Sequence, residues 1–494
     1  MKNFKDFIPL LHAKIDPLLY GVYPLSIHVS KGTTLFIAKE KHKKVLVSVG
    51  PPVGVTGEEF TLKETQVVVG QLDAPNAALL RKMFPFTSPR RVLEKERTIG
   101  VGDRLGIASP GHIRVFKEYD AVPVLAQQSI RELNLTHRTY QDVLDAATFA
   151  VFQEDFKKGY GADGDHLKSA AEVKMALELG FTMITLDCSD QMHNEYELMS
   201  EKELLSSYVP APELEKEYMN KTFTLDNEVS IEFDEIAFKR MVMTYKDVLD
   251  AATSIYTTFF STETYNADLE ISIDETTTAT TIQEHFFIAR ELTRRGVEFA
   301  TLAPRFCGEF QKGVDYIGDV EQFEKELILH QAIATHFGYK LSLHSGSDKF
   351  RIFEIFGRIT KGKFHVKTAG TNYLEAMRLV AIKDPSLYRE IHEFALSAFD
   401  EVTQYYHVTT DITRIPAIES LEDDELVRLF EHNDSRQLIH ITYGPILNKK
   451  KEDGSYLFKD RLYELWNLYE DQYSDLLFRH IKRHLLQLYR NMKG

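Results

Sequence analysis

Cysteine is almost absent: Cys188 and Cys307 are the only two in 494 residues, so neither a disulfide framework nor a cysteine-rich zinc site can be built. Positive charge is also scarce, with 59 Lys and Arg against 74 Asp and Glu and a net charge of −15. Repulsion of that sign opposes a general nucleic-acid or anionic-membrane partner, although a local group of Lys and Arg can still reverse the field inside a pocket for a small anion. No window approaches the ~20 apolar residues of a spanning helix. The start, MKNFKDFIPLLHAKID, puts charges where a signal peptide needs a continuous apolar stretch. These features predict a soluble, cytoplasmic protein of a reducing compartment. Disorder is excluded, because 43% hydrophobic and 27% charged residues are ordinary for a chain with a sizeable core. At ~150 residues per domain the length suits about three domains, or one large barrel with additions.

The pattern along the chain favours the barrel. Residues 1–98 read as a small α+β domain of no assigned role, with strand-like runs SIHVS, TLFIA, VLVSV and QVVVGQL and a helix from Asn76. SPRRVLEKER (88–97) reads as a linker or as a helix over the boundary. Then come eight runs that end in polar or Gly-rich residues, most of them short and apolar and followed by helical periodicity: RLGIASPG (from 104), VPVLAQQS (122), GYGADGDH (159), FTMITLDCSD (181), LEISIDETT (269), EFATLAPRF (298), KLSLHSGSD (340) and KFHVKTAG (363). Eight strand–helix units predict a (β/α)8 TIM-type barrel over 99–400, with its active groups at the carboxyl ends of the strands. The 190–268 stretch is too long for one βα connection and reads as a mainly helical insertion. Residues 401–494 read as a helical C-terminal region. TYQDVLDAAT (139–148) recurs as TYKDVLDAAT (244–253), and the T-x-x-D pattern predicts two similarly capped helices. In the last segment Leu477, Ile481, Leu485 and Leu488 share one face. Arg479, Lys482, Arg483 and Arg490 there suit the negative end of a helix dipole better than a nucleic-acid patch.

GYGADG matches G-x-G-x-x-G, but helical sequence precedes it, whereas a dinucleotide loop needs a strand before it and a helix opening on its last glycine. No nucleotide cofactor is expected. Asp163, Asp165 and His166 end the third run, Asp274 and Glu275 the fifth, Glu309 follows the sixth and His344 ends the seventh. Histidines and carboxylates gathered from separate strands are how mixed N/O divalent-metal sites are made. His166 and His344 are the expected ligands, and Glu309 is either a third ligand or a cap or partner of Arg305. His365, the alternative to Glu309, lies inside its strand run and suits a structural role better. HSGSDK (344–349) and KTAGTN (367–372) are loops of the kind that hold anions, with Lys349, Lys367, Thr368 and Gly370 as candidate donors. Arg305 is a further candidate for the substrate, and Gln127 and Gln128 suit hydroxyl recognition.

Together the segments GDRLGIASPGHIR, AQQSIRE, GADGDHLK, GFTMITLDCSD, SIDET, RFCGEFQKGVDY, LSLHSGSDKF, FHVKTAGTNYLEA and RQLIHITYG, from Gly102 to Gly444, resemble the tagaturonate epimerase family of bacterial hexuronate catabolism. The resemblance implies an isomerase that interconverts tagaturonate and fructuronate with a divalent metal, a proton acceptor at Asp165 and a proton donor at Glu275. The two sugar acids differ at C4, β to the ketone, where enolisation cannot act. Two routes remain, transient oxidation by a nicotinamide or retro-aldol cleavage with rotation of the aldehyde and re-addition, and the lack of a dinucleotide fingerprint favours the second. The ligand set suits Zn²⁺, Mn²⁺, Co²⁺ or Ni²⁺ alike. A metal-dependent sugar isomerase or aldolase, or a non-catalytic sugar-acid-binding barrel, is the alternative, and the oligomeric state is open.

Overall fold

The computed structural model describes every residue except Met1, His12, Asn227, Glu228, Glu263, Tyr405, His407, Lys493 and Gly494. Eight parallel strands close a barrel: β1 (Arg97–Gly100), β2 (Val122–Ser129), β3 (Gly161–Leu167), β4 (Met183–Asp187), β5 (Asp268–Ile273), β6 (Thr301–Pro304), β7 (Lys340–Leu343) and β8 (Phe364–Lys367). Seven of them coincide with the expected runs. The first does not: β1 is RTIG, and the expected 98/99 boundary falls inside it. RLGIASPG instead forms a loop and the start of the helix Ser109–Glu118, which carries Pro110 in its first turn. Asp103 folds that loop, its carboxylate accepting from the backbone N–H groups of Leu105, Gly106, Ala108 and Ser109.

The chain forms two compact units. The first comprises Met1–Pro89, Val101–Ala162 and Ala369–Lys482, the second Arg90–Gly100, Asp163–Thr368 and Arg483–Gly494. In the first, five N-terminal strands form one antiparallel sheet. Alternation sorts their side chains to two faces. Phe36 and Ala38 pack with Phe4, Phe7 and Tyr20, while Leu35 and Ile37 pack with Leu80, Phe84, Phe149 and Phe152. The strand Glu58–Leu62 is the one the sequence pattern misses, because its side chains are largely exposed.

The C-terminal helices share a second core built around Tyr388, Phe430, Leu462 and Trp466. Leu477, Ile481, Leu485 and Leu488 of the helix Glu470–Leu488 are all fully buried, as their spacing requires. Glu470 opens that helix and accepts from the Tyr23 hydroxyl at 2.6 Å. It also pairs with Lys39 at 2.8 Å and Lys44 at 2.5 Å. Burial opposes its charge, but the two lysines outweigh burial and hold its pKa down to about 2. The depression below an ordinary 4.5 stabilises the fold by about 3 kcal/mol. That contribution is complete above about pH 4.5 and is lost as the pH falls towards 2. Glu470→Gln should therefore lower the urea midpoint at neutral pH while flattening its fall in acid. An unchanged acid dependence in the variant would remove Glu470 as a cause.

The second unit contains the long insertion, which includes the helices Glu201–Ser207 and Pro212–Tyr218, the hairpin Lys221–Thr224/Ser230–Phe233 and the helix Glu235–Phe259. The two copies of the decapeptide repeat differ in role. Thr139 caps the helix Tyr140–Gln153 in a reciprocal box with Asp142. Thr244 lies buried in the middle of the helix Glu235–Phe259, which is capped by Asp234 instead. The expectation of two capped helix starts is corrected to one. No helix among the described residues is long and apolar enough to cross a membrane.

Candidate active site

Asp163 and Asp165 are two residues apart on β3, so the pleat sends both side chains to the same side. Between Gly164 and Leu167 the register with β4 shifts, and His166 has φ +56°. A left-handed non-glycine residue costs roughly 1–2 kcal/mol. Such bulges re-aim a side chain, and here the bulge brings the His166 ring to the side of Asp165, within 4.9 Å of the His344 ring by centroids. Glu270 and Ser272 share one phase of β5, and Asp274 continues that phase one residue past the strand. His344 follows β7 directly, and Lys367 is the last residue of β8.

These groups form two connected layers. In the lower one the Lys367 ammonium lies 2.9 Å from Asp163 Oδ2, 2.8 Å from Asp165 Oδ1 and 2.8 Å from Glu270 Oε1, and it also contacts Thr185 Oγ1. In the upper one Asp165 Oδ1 accepts from His166 Nδ1 at 2.8 Å, and Glu270 Oε1 accepts from His344 Nε2 at 2.7 Å. The remaining ring nitrogens face Asp274: His344 Nδ1 is 3.2 Å from Oδ2, and His166 Nε2 is 3.9 Å from Oδ1. Ser272 donates to the same Asp274 carboxylate.

Charge follows from this geometry. Burial pushes the Asp163 carboxyl up to about 6 against the pull of Lys367. Burial also acts on Asp165, but Lys367 and His166 outweigh it and hold that carboxyl well below the usual range. Burial works against a charge on His344, yet Asp274 and Glu270 overcome it and push its pKa up to about 10. His166 is raised in the same way, burial being outweighed by Asp165. The site thus demands positive charge at the two imidazoles. His166, Asp274 and His344 each offer a ligand atom, all within 4.8 Å of one another. Two imidazole nitrogens and one carboxylate oxygen, each imidazole held by a carboxylate behind it, fit a divalent transition-metal ion. An ion there would displace the protons that the anionic surroundings otherwise draw to the rings.

The other expected site residues divide. Glu309 is not in this group: its backbone pairs with Ile317 in the loop after β6, and the carboxylate that stands with the two imidazoles is that of Asp274. The buried Lys349 ammonium donates to the carbonyls of Gln311, Val314 and Ser347 at 2.7–3.0 Å. These bonds brace the loops after β6 and β7. Lys367, expected to bind an anionic ligand, is enclosed by carboxylates. The Thr368 hydroxyl donates to Gly100 O at 2.9 Å. Gly370 precedes the helix Thr371–Lys383, where a Cβ would fall 2.3 Å from His440 Cε1. Arg305 reaches the Thr276 carbonyl and braces the loop after β5. Glu275, in that loop, is exposed. Gln127 and Gln128 are buried at the end of β2, with Gln127 Oε1 and both amide atoms of Gln128 lacking a partner among the described residues. His365 is fully buried against Thr98 Oγ1 at 2.9 Å, and burial pushes its pKa down to about 3. GYGADG runs from a loop into β3, the reverse of a strand-then-helix phosphate loop.

Sequence reasoning missed Glu270 and Thr185 and left Asp274 out of the ligand set. The available signal was parity: polar residues at alternate positions of strands that are otherwise apolar.

A family model described as UxaE, tagaturonate epimerase, matches residues 23–488. The tagaturonate/fructuronate epimerase of Thermotoga maritima is 40% identical over 473 residues, 94% of this chain and 96% of that protein. A glycerol-complexed crystal structure of the fructuronate-tagaturonate epimerase UxaE from Cohnella laeviribosi is similar with a TM-score of 0.93 and 46% identity, covering 98% of this chain and 99% of that one. The native structure of the same protein gives 0.92 and 46%, with 97% of each chain covered.

Proposed function

The chain belongs to the tagaturonate epimerase family and is a carbohydrate epimerase, and from that premise we propose that it inverts C4 of tagaturonate and fructuronate by retro-aldol cleavage and re-addition at a divalent-metal centre. The convergence of His166, Asp274 and His344 from β3, β5 and β7 within 4.8 Å carries the proposal. A divalent ion held by these three residues would supply Lewis-acid polarisation of the substrate ketone.

The protein's own groups account for the proton movements. Both hydrogen bonds of Asp165 use Oδ1, so Oδ2 is the atom that takes the C4 hydroxyl proton. As that proton leaves, the C3–C4 bond breaks, its electron pair moves towards the ketone, and C4 becomes an aldehyde carbon. After the aldehyde turns over, the bond re-forms from the opposite face. Glu275, at the mouth end of β5, returns a proton to the new C4 oxygen. Lys367 is not the amine of a Schiff base in this scheme, because Asp163, Asp165 and Glu270 overcome the effect of burial and keep it protonated, and a carbonyl nucleophile must be neutral.

The test is to incubate the purified protein with tagaturonate in deuterated water, with and without chelator, and to follow the sugar acids by NMR. Fructuronate should accumulate without deuterium at C3 or C4, and chelator should stop the reaction. Deuterium at either carbon would point to enolisation or fragment release, and full turnover in metal-stripped protein would remove the metal from the proposal.

A further inference from the structure

We propose that Lys367 is the positioning residue of this centre: one buried ammonium fixes Asp165 and Glu270, and through them sets His166 and His344 as a pair. The inference rests on the metal centre proposed above but concerns groups behind it. A single oxygen of each carboxylate serves both partners. Asp165 Oδ1 receives His166 and Lys367, each at 2.8 Å. Glu270 Oε1 receives His344 at 2.7 Å and Lys367 at 2.8 Å. Glu270 Oε2 is taken by the Thr301 hydroxyl at 2.6 Å, so neither the rotation nor the lateral position of Glu270 is free.

The result is an ordered choice of ring nitrogen. A carboxylate can only accept, so Asp165 holds the proton of His166 on Nδ1 and Glu270 holds that of His344 on Nε2. The rings therefore turn opposite nitrogens, Nε2 of His166 and Nδ1 of His344, towards Asp274. Without the ammonium, Asp165 and Glu270 would face each other as anions, and repulsion would turn the two orienting carboxylates away from the rings. With the Lys367 side chain 4% exposed, bulk water cannot take its place.

Asp163 separates charge balance from positioning. It is the third carboxylate on Lys367 and is held by the backbone N–H and hydroxyl of Thr185 at 3.0–3.1 Å. Lys367→Met alone leaves the carboxylates unbalanced and can fail to fold. Lys367→Met/Asp163→Asn removes one charge of each sign, so it should recover the melting temperature. Its Co²⁺ affinity by calorimetry should nevertheless stay about 10–100-fold below that of the unsubstituted protein, the usual cost of losing an outer support of a metal site. The visible absorption of the bound Co²⁺ should also shift. In metal-free protein labelled with ¹⁵N-histidine, the His166 and His344 ring-nitrogen resonances should move in the double variant.

A folded double variant with unchanged Co²⁺ affinity, Co²⁺ spectrum and imidazole resonances would overturn the proposal. So would a charge-balanced double variant that fails to fold, which would assign Lys367 to barrel stability alone. If the unsubstituted protein binds no Co²⁺ yet the imidazole resonances move in the variant, the positioning role stands and the metal centre falls.

Discussion

Asp274→Ala is expected to empty the metal centre and to lower kcat/KM on the order of 10³-fold, while Glu309→Ala leaves metal content and turnover near those of the unsubstituted protein. The contrast follows from position. Asp274 is the one carboxylate that both ligand-type imidazoles face, 3.2 Å from His344 Nδ1 and 3.9 Å from His166 Nε2. Burial opposes its charge, but those rings outweigh burial and hold its pKa well below the usual carboxylate range. Removing it leaves two neutral donors, fewer than the three protein ligands with which catalytic sites of this kind are built. The loss of polarisation at the ketone is worth several kcal/mol, which is the rate factor given above. Glu309, by contrast, lies in a loop whose backbone pairs with Ile317. Metal content by mass spectrometry, kcat/KM and a melting curve on both variants decide the matter. Metal retained in Asp274→Ala and lost in Glu309→Ala would return the ligand role to Glu309.

The same residues explain which parts of the site were legible in the sequence. Strand phase was readable: Glu270, Ser272 and Asp274 keep one parity on β5, Ser342 and His344 on β7, His365 and Lys367 on β8, and Asp163 and Asp165 on β3. Followed strictly, that parity selects Asp274 over Glu275 for the interior and draws attention to Glu270 in the middle of an apolar run. His166 breaks the rule, because it has the wrong parity on β3 and reaches the site only through a bulge and a left-handed backbone. Nothing local in GADGDHL fixes that shift, although Gly164 permits it: a Cβ there would press on Leu167 and Ile184 at about 3 Å.

The barrel itself was legible wherever its strands are apolar and bounded by polar loops. β1 escaped because four residues flanked by EKER and a glycine-rich loop carry too little periodicity, while the more apolar GIAS nearby is loop and helix start. The surroundings of the lysines were illegible for a different reason. A Lys beside a Gly-rich loop reads as an anion donor, but whether its ammonium meets a ligand, a carbonyl or a carboxylate depends on partners 35 to more than 200 residues away. Lys349 found carbonyls and Lys367 found carboxylates.

Asp165→Asn should reduce kcat about 10²-fold or more with little change in KM and with the metal retained. The argument depends on the division of labour between the two oxygens of Asp165. Oδ1 supports His166 and Lys367, and an asparagine carbonyl can still accept from both. Ring orientation and ligand set therefore persist, and the Co²⁺-loaded variant should keep its spectrum. Oδ2 becomes an amide nitrogen, which cannot take a proton from the C4 hydroxyl, and loss of a positioned base of this kind typically costs 10²–10⁴-fold. A variant with full kcat would sink the assignment of Asp165 as proton acceptor. A variant that instead loses its metal would show that the carboxylate acts mainly through His166. That second outcome would move the proton transfer to another group and leave the retro-aldol route itself to be judged by the fate of the C4 hydrogen.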